Sequence, residues 1–317
     1  MAERLYLDEF QPRSELVVEE HLVSRARFPV VDAHNHPTYP GFAWEKLDVP
    51  RVLAELDALN VRTVVNLSGG SGDELKRNLE RWDQAYPGRF VSYCNPDFSD
   101  VDAPGWGAHA AAQLRADVAA GARGLKIYKE LGLTYRDLSG RLIPPDDARL
   151  FDLWEQAGEL GIPVTIHTAD PVAFFRPLDG HNERWEELHE QPDWHFYGGD
   201  YPSFEALIEG LYRLVEAHPR TNFITAHVGC YSENLGFVSR MLERYPNLYA
   251  DISARIAELG RAPYSARRFF LQHADRIVFG TDHNPSPEMY QVHFRFLETE
   301  DEYFDYDGRS ATPTQGR

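Results

Sequence analysis

The stretch FPVVDAHNH, residues 28–36, joins a short run of strand-forming residues to two histidines, His34 and His36, that are one residue apart. Side chains two positions apart lie on the same side of an extended chain, so both imidazoles can reach one point in space. Such a pair suits a metal ion, but an isolated His-x-His also occurs in loops and on solvated surfaces. The ends of the other strands therefore decide how this pair is interpreted.

Strands and helices alternate along the rest of the chain. Short β-branched runs are followed by segments with helical periodicity, a pattern typical of parallel strands joined by crossover helices. The predicted strands are 28–34, 61–69, 89–96, 122–129, 162–168, 221–229, 247–253 and 275–282. Eight such units without a dividing linker predict an α/β fold, a (β/α)8 TIM barrel in a single domain.

An open, doubly wound sheet is the alternative architecture. The segment VDAHNHPTYPG after the first strand lacks the glycine-rich phosphate turn that such sheets carry, which disfavours it. The predicted organisation is an N-terminal extension over residues 1–27, the barrel over 28–300 and a polar tail over 301–317. Within the extension, SELVVEEHLV is interpreted as an outlying strand.

The connection after the fifth strand, residues 169–203, runs to more than 30 residues and is rich in aromatic and charged side chains. Loops of this length often form lids or binding elements. Its large rings either wall a pocket or anchor the loop to the barrel. They are Phe174, Phe175, Trp185, Trp194 and Tyr197.

Composition restricts the class of partner. A hydrophobic fraction of 43% indicates a large core, and a net charge of −18 argues against nucleic acid or anionic membrane as a partner. No apolar run reaches the ~20 residues of a membrane helix, and MAERLYLDEF lacks the layout of a signal peptide. We therefore expect a cytoplasmic protein that acts on a small molecule, with a homo-oligomer possible. Cys94 and Cys230 are expected to stay reduced.

In a barrel the carboxyl ends of all strands meet at one face, where the chemistry takes place. Residues with metal-binding or cationic side chains fall at five of these ends: His34 and His36, Lys126, His167, His227 and Asp282. Any one of them alone could cap a turn or a helix, so the coincidence carries the argument. Imidazole and carboxylate ligands suit Zn²⁺, with Mn²⁺, Fe²⁺ or Co²⁺ as alternatives, and would activate water near neutral pH.

The ordered series VDAHNH, GLKIY, TIHTAD, TAHVG and FGTD resembles the amidohydrolase superfamily over about residues 28–285. The nearest branch is the amidohydrolase-2 type, with hydrolases, lactonases and decarboxylases of the aminocarboxymuconate-semialdehyde kind. The resemblance implies a divalent metal held by His34, His36, His167 and Asp282. It also implies that Asp282 and His227 are catalytic, with His227 polarising the substrate or moving a proton.

Lys126 has two interpretations under this resemblance. In binuclear members a carboxylated lysine at the end of strand four bridges two ions, and Lys126 and His227 would then join the ligand set. Otherwise Lys126 is a cation for a substrate carboxylate, with Lys129 beside it. One ion is expected rather than two.

Hydrolysis of an amide, lactone or ester by activated water is the expected reaction. The alternatives are non-oxidative decarboxylation or hydration of an unsaturated or aromatic acid, and an inactive metal-binding scaffold. Several side chains suit an anionic substrate, although each could also form a structural ion pair. The candidates for substrate binding are Lys126, Lys129, Arg176, Arg255 and His283.

Overall fold

The computed structural model describes residues 5–6, 9, 15–39, 46–302, 304 and 306. Short parallel strands form its centre, each at a position where the sequence predicts a strand. They are β1 (Val30–Asn35), β2 (Val61–Asn66), β3 (Phe90–Ser92), β4 (Leu125–Ile127), β5 (Val164–Ile166), β6 (Phe223–Thr225), β7 (Leu248–Asp251) and β8 (Ile277–Val278). All adjacent pairs are parallel.

Backbone hydrogen bonds close these strands into a barrel. Regular pairing gives two sheets, β1-β2-β3 and β4-β5-β6-β7-β8. Between β3 and β4, the amide of Lys126 donates to the carbonyl of Cys94 at 2.9 Å. Between β8 and β1, the amide of Ala33 donates to the carbonyl of Phe279 at 2.9 Å. The predicted (β/α)8 barrel is confirmed.

Helices surround the barrel and are amphipathic. On α7, the buried residues Leu207, Leu211 and Leu214 recur at helical spacing and form one stripe towards the strands. The helices are α1 (Val49–Ala58), α2 (Gly72–Asn78), α3 (Trp106–Ala120), α4 (Glu130–Leu133), α5 (Phe151–Leu160), α6 (Trp185–Glu190), α7 (Phe204–Ala217), α8 (Ala226–Gly229), α9 (Leu235–Arg244), α10 (Ile256–Arg261), α11 (Pro263–Gln272) and α12 (Pro287–Glu298). Of these, α4 and α8 are single turns with non-helical backbone angles inside.

The last helix, α12, completes the outer layer. Its first turn is capped by Ser286, whose hydroxyl accepts from the amide of Met289 at 3.2 Å. Tyr290 and Phe294 lie one turn apart and are buried in the cluster that also contains Val64 of β2. This single helix therefore covers the side of the barrel next to α1 and fixes the polypeptide that follows β8.

The expected strand within SELVVEEHLV is wrong, because residues 15–23 contain no strand. A closed barrel has no free edge for an extra strand to pair with. The tail from residue 307 onwards, and much of residues 1–14, lie outside the described residues, and the boundaries at 27/28 and 300/301 stay predictions. Among the helices in the described part of the chain, none combines the length and apolar character needed to cross a bilayer.

Candidate metal centre

The junction of β8 and β1 brings Asp282 beside the two histidines of the first strand. The amide of Asp282 donates to the carbonyl of His34 at 2.8 Å. Gly280 permits this approach, because a Cβ at that position would lie 2.6 Å from the Cβ of His34. The backbone contact that joins β8 to β1 therefore also places Asp282 beside His34.

Three imidazoles converge on the carboxylate of Asp282. The Nε2 atom of His36 lies 3.4 Å from Oδ1, and Nε2 of His34 lies 3.9 Å from the same oxygen. His227 approaches the other oxygen, with 3.9 Å between Nε2 and Oδ2. One ligand atom each from His34, His227 and Asp282 lies within 4.8 Å of the others. Imidazole nitrogens and a carboxylate at this separation form a donor set that fits a divalent ion.

The outer nitrogen of each converging histidine has a partner on the surrounding strands. Such partners fix the orientation of the ring and direct the inner nitrogen towards the centre. The contacts join His34 Nδ1 to Asp251 Oδ2 at 2.7 Å, His36 Nδ1 to Ser68 Oγ at 2.7 Å and His227 Nδ1 to Ser253 O at 2.9 Å.

Asp251, the last residue of β7, is a site residue that sequence reasoning missed. Its Oδ1 accepts from the amide of His227 at 3.0 Å and from the hydroxyl of Ser253 at 2.6 Å. Burial opposes ionisation of Asp251, but His34 and these hydrogen bonds outweigh burial and hold its pKa below the usual range. Its position at a predicted strand end was the signal that could have identified it.

His167 follows β5 directly and contacts the ring of His227, with centroids 4.4 Å apart. Its Nε2 lies 3.3 Å from Asp170 Oδ1, without hydrogen-bond geometry. Asp170 also forms an ion pair with Lys129. Burial lowers the pKa of His167 to about 4, so the ring is neutral.

Lys126 is buried next to His34. Its Nζ lies 3.4 Å from Nε2 of His34 and 5.6 Å from the centre of the Tyr128 ring. Burial lowers the pKa of this amine. The structure therefore brings Lys126 into the centre itself and leaves Lys129 at its edge.

Left-handed backbone angles occur at several positions around the centre, including Val228 and Cys230 beside His227. His227 and Asp282 each have φ of 58°, and Ala254 has φ of 50°. Side-chain-bearing residues adopt this region at a cost, and such residues cluster where function fixes a geometry. Here the angles direct two site residues inwards from the ends of β6 and β8.

A cavity of about 450 Å³ opens over the centre and is lined by His167, His227 and Asp282. Burial lowers the pKa of His227 well below its usual value, and His167 and Arg255 lower it further, so this ring is also neutral. The predicted substrate-binding residues Lys129, Arg255 and His283 line the same cavity.

Arg176 is not brought to the cavity. Its guanidinium is half exposed and pairs with Glu205 at 2.8 Å on the surface, so this ion pair holds it outside the cavity lining. Among the aromatic residues of the loop, Phe174 and Trp194 line the cavity and stack with centroids 6.2 Å apart. Phe175 is buried in the core, whereas Trp185 and Tyr197 are exposed.

Fold and site together define a barrel enzyme with a metal-type donor set at the carboxyl ends of its strands. The profile of the amidohydrolase family, type 2, matches residues 31–307, and the chain belongs to this family. Members of the family generally use a divalent metal. The expected metal-dependent, amidohydrolase-type enzyme is thereby confirmed.

Solved structures with the same fold include an uncharacterised TIM-barrel protein from Bordetella bronchiseptica, 18% identical, with a TM-score of 0.56 over 86% of this chain and 91% of that one. The 2,6-dihydroxybenzoate decarboxylase from Rhizobium is 17% identical, with a TM-score of 0.53 over 86% and 92%. An amidohydrolase from Burkholderia multivorans is 13% identical, with a TM-score of 0.50 over 86% and 92%. No curated protein sequence matches the chain.

Proposed function

We propose that the chain is a metal-dependent hydrolase that attacks an amide, lactone or ester carbonyl of a small anionic substrate. One divalent ion, Zn²⁺ in our proposal, is held by His34, His36, His167 and Asp282. The carrying observation is the convergence of the His34 and His36 Nε2 atoms on Asp282, while their Nδ1 atoms are held from outside. Bound there, the ion would polarise the carbonyl and lower the pKa of water.

His227 and Asp282 have separate roles in proton transfer. A backbone carbonyl can only accept, so Nδ1 of His227 carries the proton donated to Ser253 and Nε2 keeps its lone pair. His227 therefore accepts a proton on the side that faces Asp282. The Asp282 carboxylate assists deprotonation of the attacking water and returns a proton to the leaving group.

Arg255 supports an anionic substrate. Its side chain is 8% exposed and lines the cavity, and its Nη1 donates to the carbonyl of Ala254 at 2.8 Å. No carboxylate among the described residues lies within ion-pair distance of it, whereas Lys129 and Arg176 have Asp170 and Glu205. A buried guanidinium without a counter-charge is costly, and a substrate carboxylate or phosphate would supply one.

Decarboxylation of a planar aromatic acid is the second candidate. The stacked rings of Phe174 and Trp194 give the cavity an apolar wall that a flat ring can pack against. In this reaction His227 and Asp282 would move the proton that replaces the lost carboxyl group. The inactive scaffold is not proposed, because both proton-accepting groups face the cavity.

The test compares His227→Asn with His273→Asn after both proteins are loaded with Zn²⁺. His273 is a buried histidine bonded to Ser239 at 2.5 Å and lies outside the cavity. Panels of anionic lactones, amides and esters are screened for hydrolysis, and aromatic acids for release of carbon dioxide. We expect His227→Asn to lower kcat about 100-fold or more with the metal retained, and the control to keep its activity. Full turnover by His227→Asn, or turnover of neither panel by the loaded enzyme, contradicts the proposal.

Metal content of His167→Asn and His227→Asn tests the ligand assignment. We expect the first variant to lose most of its metal and the second to keep it. The opposite result would make His227 the metal ligand and would leave His167 outside the set of metal ligands.

A further inference from the structure

A further buried histidine lines the cavity from α12 and has no place in the proposed proton transfers. His293 is 1% exposed and lines the cavity together with His283 and Met289. Its ring packs edge to face on Phe279, with centroids 5.7 Å apart. Phe279 lies three residues before Asp282, so His293 stands on the β8 side of the cavity.

The hydrogen bonding of His293 defines which ring nitrogen can accept a hydrogen bond from a ligand. Nδ1 lies 2.8 Å from the carbonyl oxygen of Met289, one helical turn earlier. Because a carbonyl only accepts, Nδ1 carries the proton and Nε2 is an acceptor. Within the described part of the chain, Nε2 is buried and has no hydrogen-bond partner. Burial also lowers the pKa of His293 to about 4, so the ring stays neutral.

A buried acceptor without a donor costs free energy, and proteins leave few such groups unsatisfied. A helix wall that only needed bulk at this position could carry an apolar side chain, because Phe279 already provides an aromatic contact. The unsatisfied Nε2 thus points to a donor that arrives with the ligand.

Arg255, which the proposed function assigns to the substrate anion, lines the same cavity as His293. Arg255 precedes α10 on the β7 side, and His293 belongs to α12 on the β8 side. A guanidinium recognises a carboxylate, and a neutral imidazole nitrogen recognises a hydroxyl or amino group. Phe174 and Trp194 add an apolar surface to the same cavity.

We propose that Nε2 of His293 is a specificity-determining acceptor, and that the substrate is a small carboxylic acid with a hydroxyl or amino group that donates to it. The proposal rests on the proposed function for the location of the active site and for the role of Arg255. It adds that the substrate carries a hydrogen-bond donor, and this group distinguishes the substrate class from simple carboxylic acids.

The experiment measures binding of matched probes to the Zn²⁺-loaded enzyme by calorimetry. The probes are the ortho, meta and para hydroxybenzoates and the corresponding methoxybenzoates, which have the same carboxylate but cannot donate from the second oxygen. The variants are His293→Phe, which removes the acceptor, and His293→Gln, whose side-chain oxygen restores one. His273→Phe is the matched control for loss of a buried histidine outside the cavity.

We expect at least one hydroxybenzoate to bind about tenfold more tightly than its methyl ether. This preference should disappear in His293→Phe, return in part in His293→Gln and persist in His273→Phe. Arg255→Gln should weaken both members of the pair equally. If His293→Phe does not fold, loss or retention of the preference in His293→Leu, which also lacks an acceptor, decides instead.

Equal binding of each hydroxyl and methoxy pair to the wild type overturns the proposal, as does a preference that survives in His293→Phe. Failure of all probes to bind overturns it as well. Metal content measured on the same samples separates these outcomes from failure of the proposed function, which would appear as a protein that holds no metal.

Discussion

At the scale of single residues, Gly280 links the closure of the barrel to the metal centre. An added Cβ would meet the Cβ of His34 at 2.6 Å and its backbone nitrogen at 3.1 Å. We predict that Gly280→Ala shifts His34 and lowers Zn²⁺ affinity at least about tenfold, because ligand position controls affinity. It should also cost about 1–3 kcal/mol of unfolding free energy, as overpacking does.

The matched control is Gly260→Ala, where an added Cβ meets no atom within 4 Å. Competition with a chelating dye measures the affinity, and urea unfolding measures the stability. Equal Zn²⁺ affinities for Gly280→Ala and Gly260→Ala would mean that contact between β8 and β1 does not position His34.

The residues that sequence analysis brought together are those whose position depends on a local rule. His34 and His36 follow from the period of two in a strand, and Asp282 follows from the rule that strand ends share one face. Arg176 did not follow such a rule, because the path of a long loop is not encoded in periodicity. His293 follows no such rule either, because its sequence predicts a helix without showing which neighbour each helix face meets.

At the scale of elements, one buried ion pair anchors the long loop to the barrel. Arg184 precedes α6 in the loop and pairs with Glu258 of α10, and it also contacts Glu187 at 2.8 Å. Arg184 and Glu258 are both buried. We predict that Glu258→Ala lowers the free energy of unfolding by about 3 kcal/mol, because it leaves a buried guanidinium short of a partner.

Glu205→Ala is the control for this change, since it removes the exposed pair with Arg176 and should cost less than about 1 kcal/mol. Urea unfolding gives both values, and limited proteolysis within residues 169–203 reports release of the loop. A cost for Glu258→Ala no larger than that of the control would show that the ion pair does not anchor the loop.

A histidine–aspartate pair joins the segment before β1 to the segment after α12. His21 Nδ1 lies 2.6 Å from Asp301 Oδ1, and this hydrogen bond raises the pKa of His21 from its ordinary value of 6.5. Burial opposes ionisation of Asp301, but hydrogen bonds from His21 and Arg295 outweigh it and lower the pKa of Asp301 from 3.8 to about 2.

The sign of the pH dependence follows from both shifts. The stabilisation by His21 is complete below pH 6.5 and is lost as the pH rises through its raised pKa. The stabilisation by Asp301 is complete above pH 3.8 and is lost as the pH falls towards about 2. The pair therefore stabilises the fold most between these limits.

We predict that His21→Ala lowers the urea midpoint at about pH 5 and that the difference from the wild type shrinks towards pH 9. His109→Ala, which changes an exposed histidine on α3, is the control and should show no such trend. A difference for His21→Ala that is constant between these pH values would argue against ionic pairing with Asp301.

Whether a segment forms a helix or a strand was predictable, because apolar periodicity and capping residues are local signals. The segment SPEMYQVHFRFLET, residues 286–299, has the apolar spacing of a helix, and α12 forms there with Ser286 at its start. Apolar periodicity does not show which part of the protein each helix face contacts. That α12 covers the β2 side of the barrel, while His293 reaches the cavity, depends on contacts between residues more than 200 positions apart.

At the scale of the whole molecule, closing the barrel converts distant strand ends into one site. The backbone contact between Asp282 and His34 connects residues separated by nearly the full length of the barrel sequence. The cavity then gains its walls from the loop after β5, from α10 and from α12. Cytoplasmic location and self-association stay predictions, because neither depends on this internal geometry.

Elemental analysis of the wild type, Lys126→Ala and His36→Asn after supplementation with Zn²⁺ measures the number of metal ions per folded chain and tests the single-ion centre. We predict about one ion in the wild type and in Lys126→Ala, and close to none in His36→Asn. About two ions that fall to one without Lys126 would contradict the single-ion centre and indicate a lysine-bridged pair. No metal in the supplemented wild type would contradict the metal centre itself.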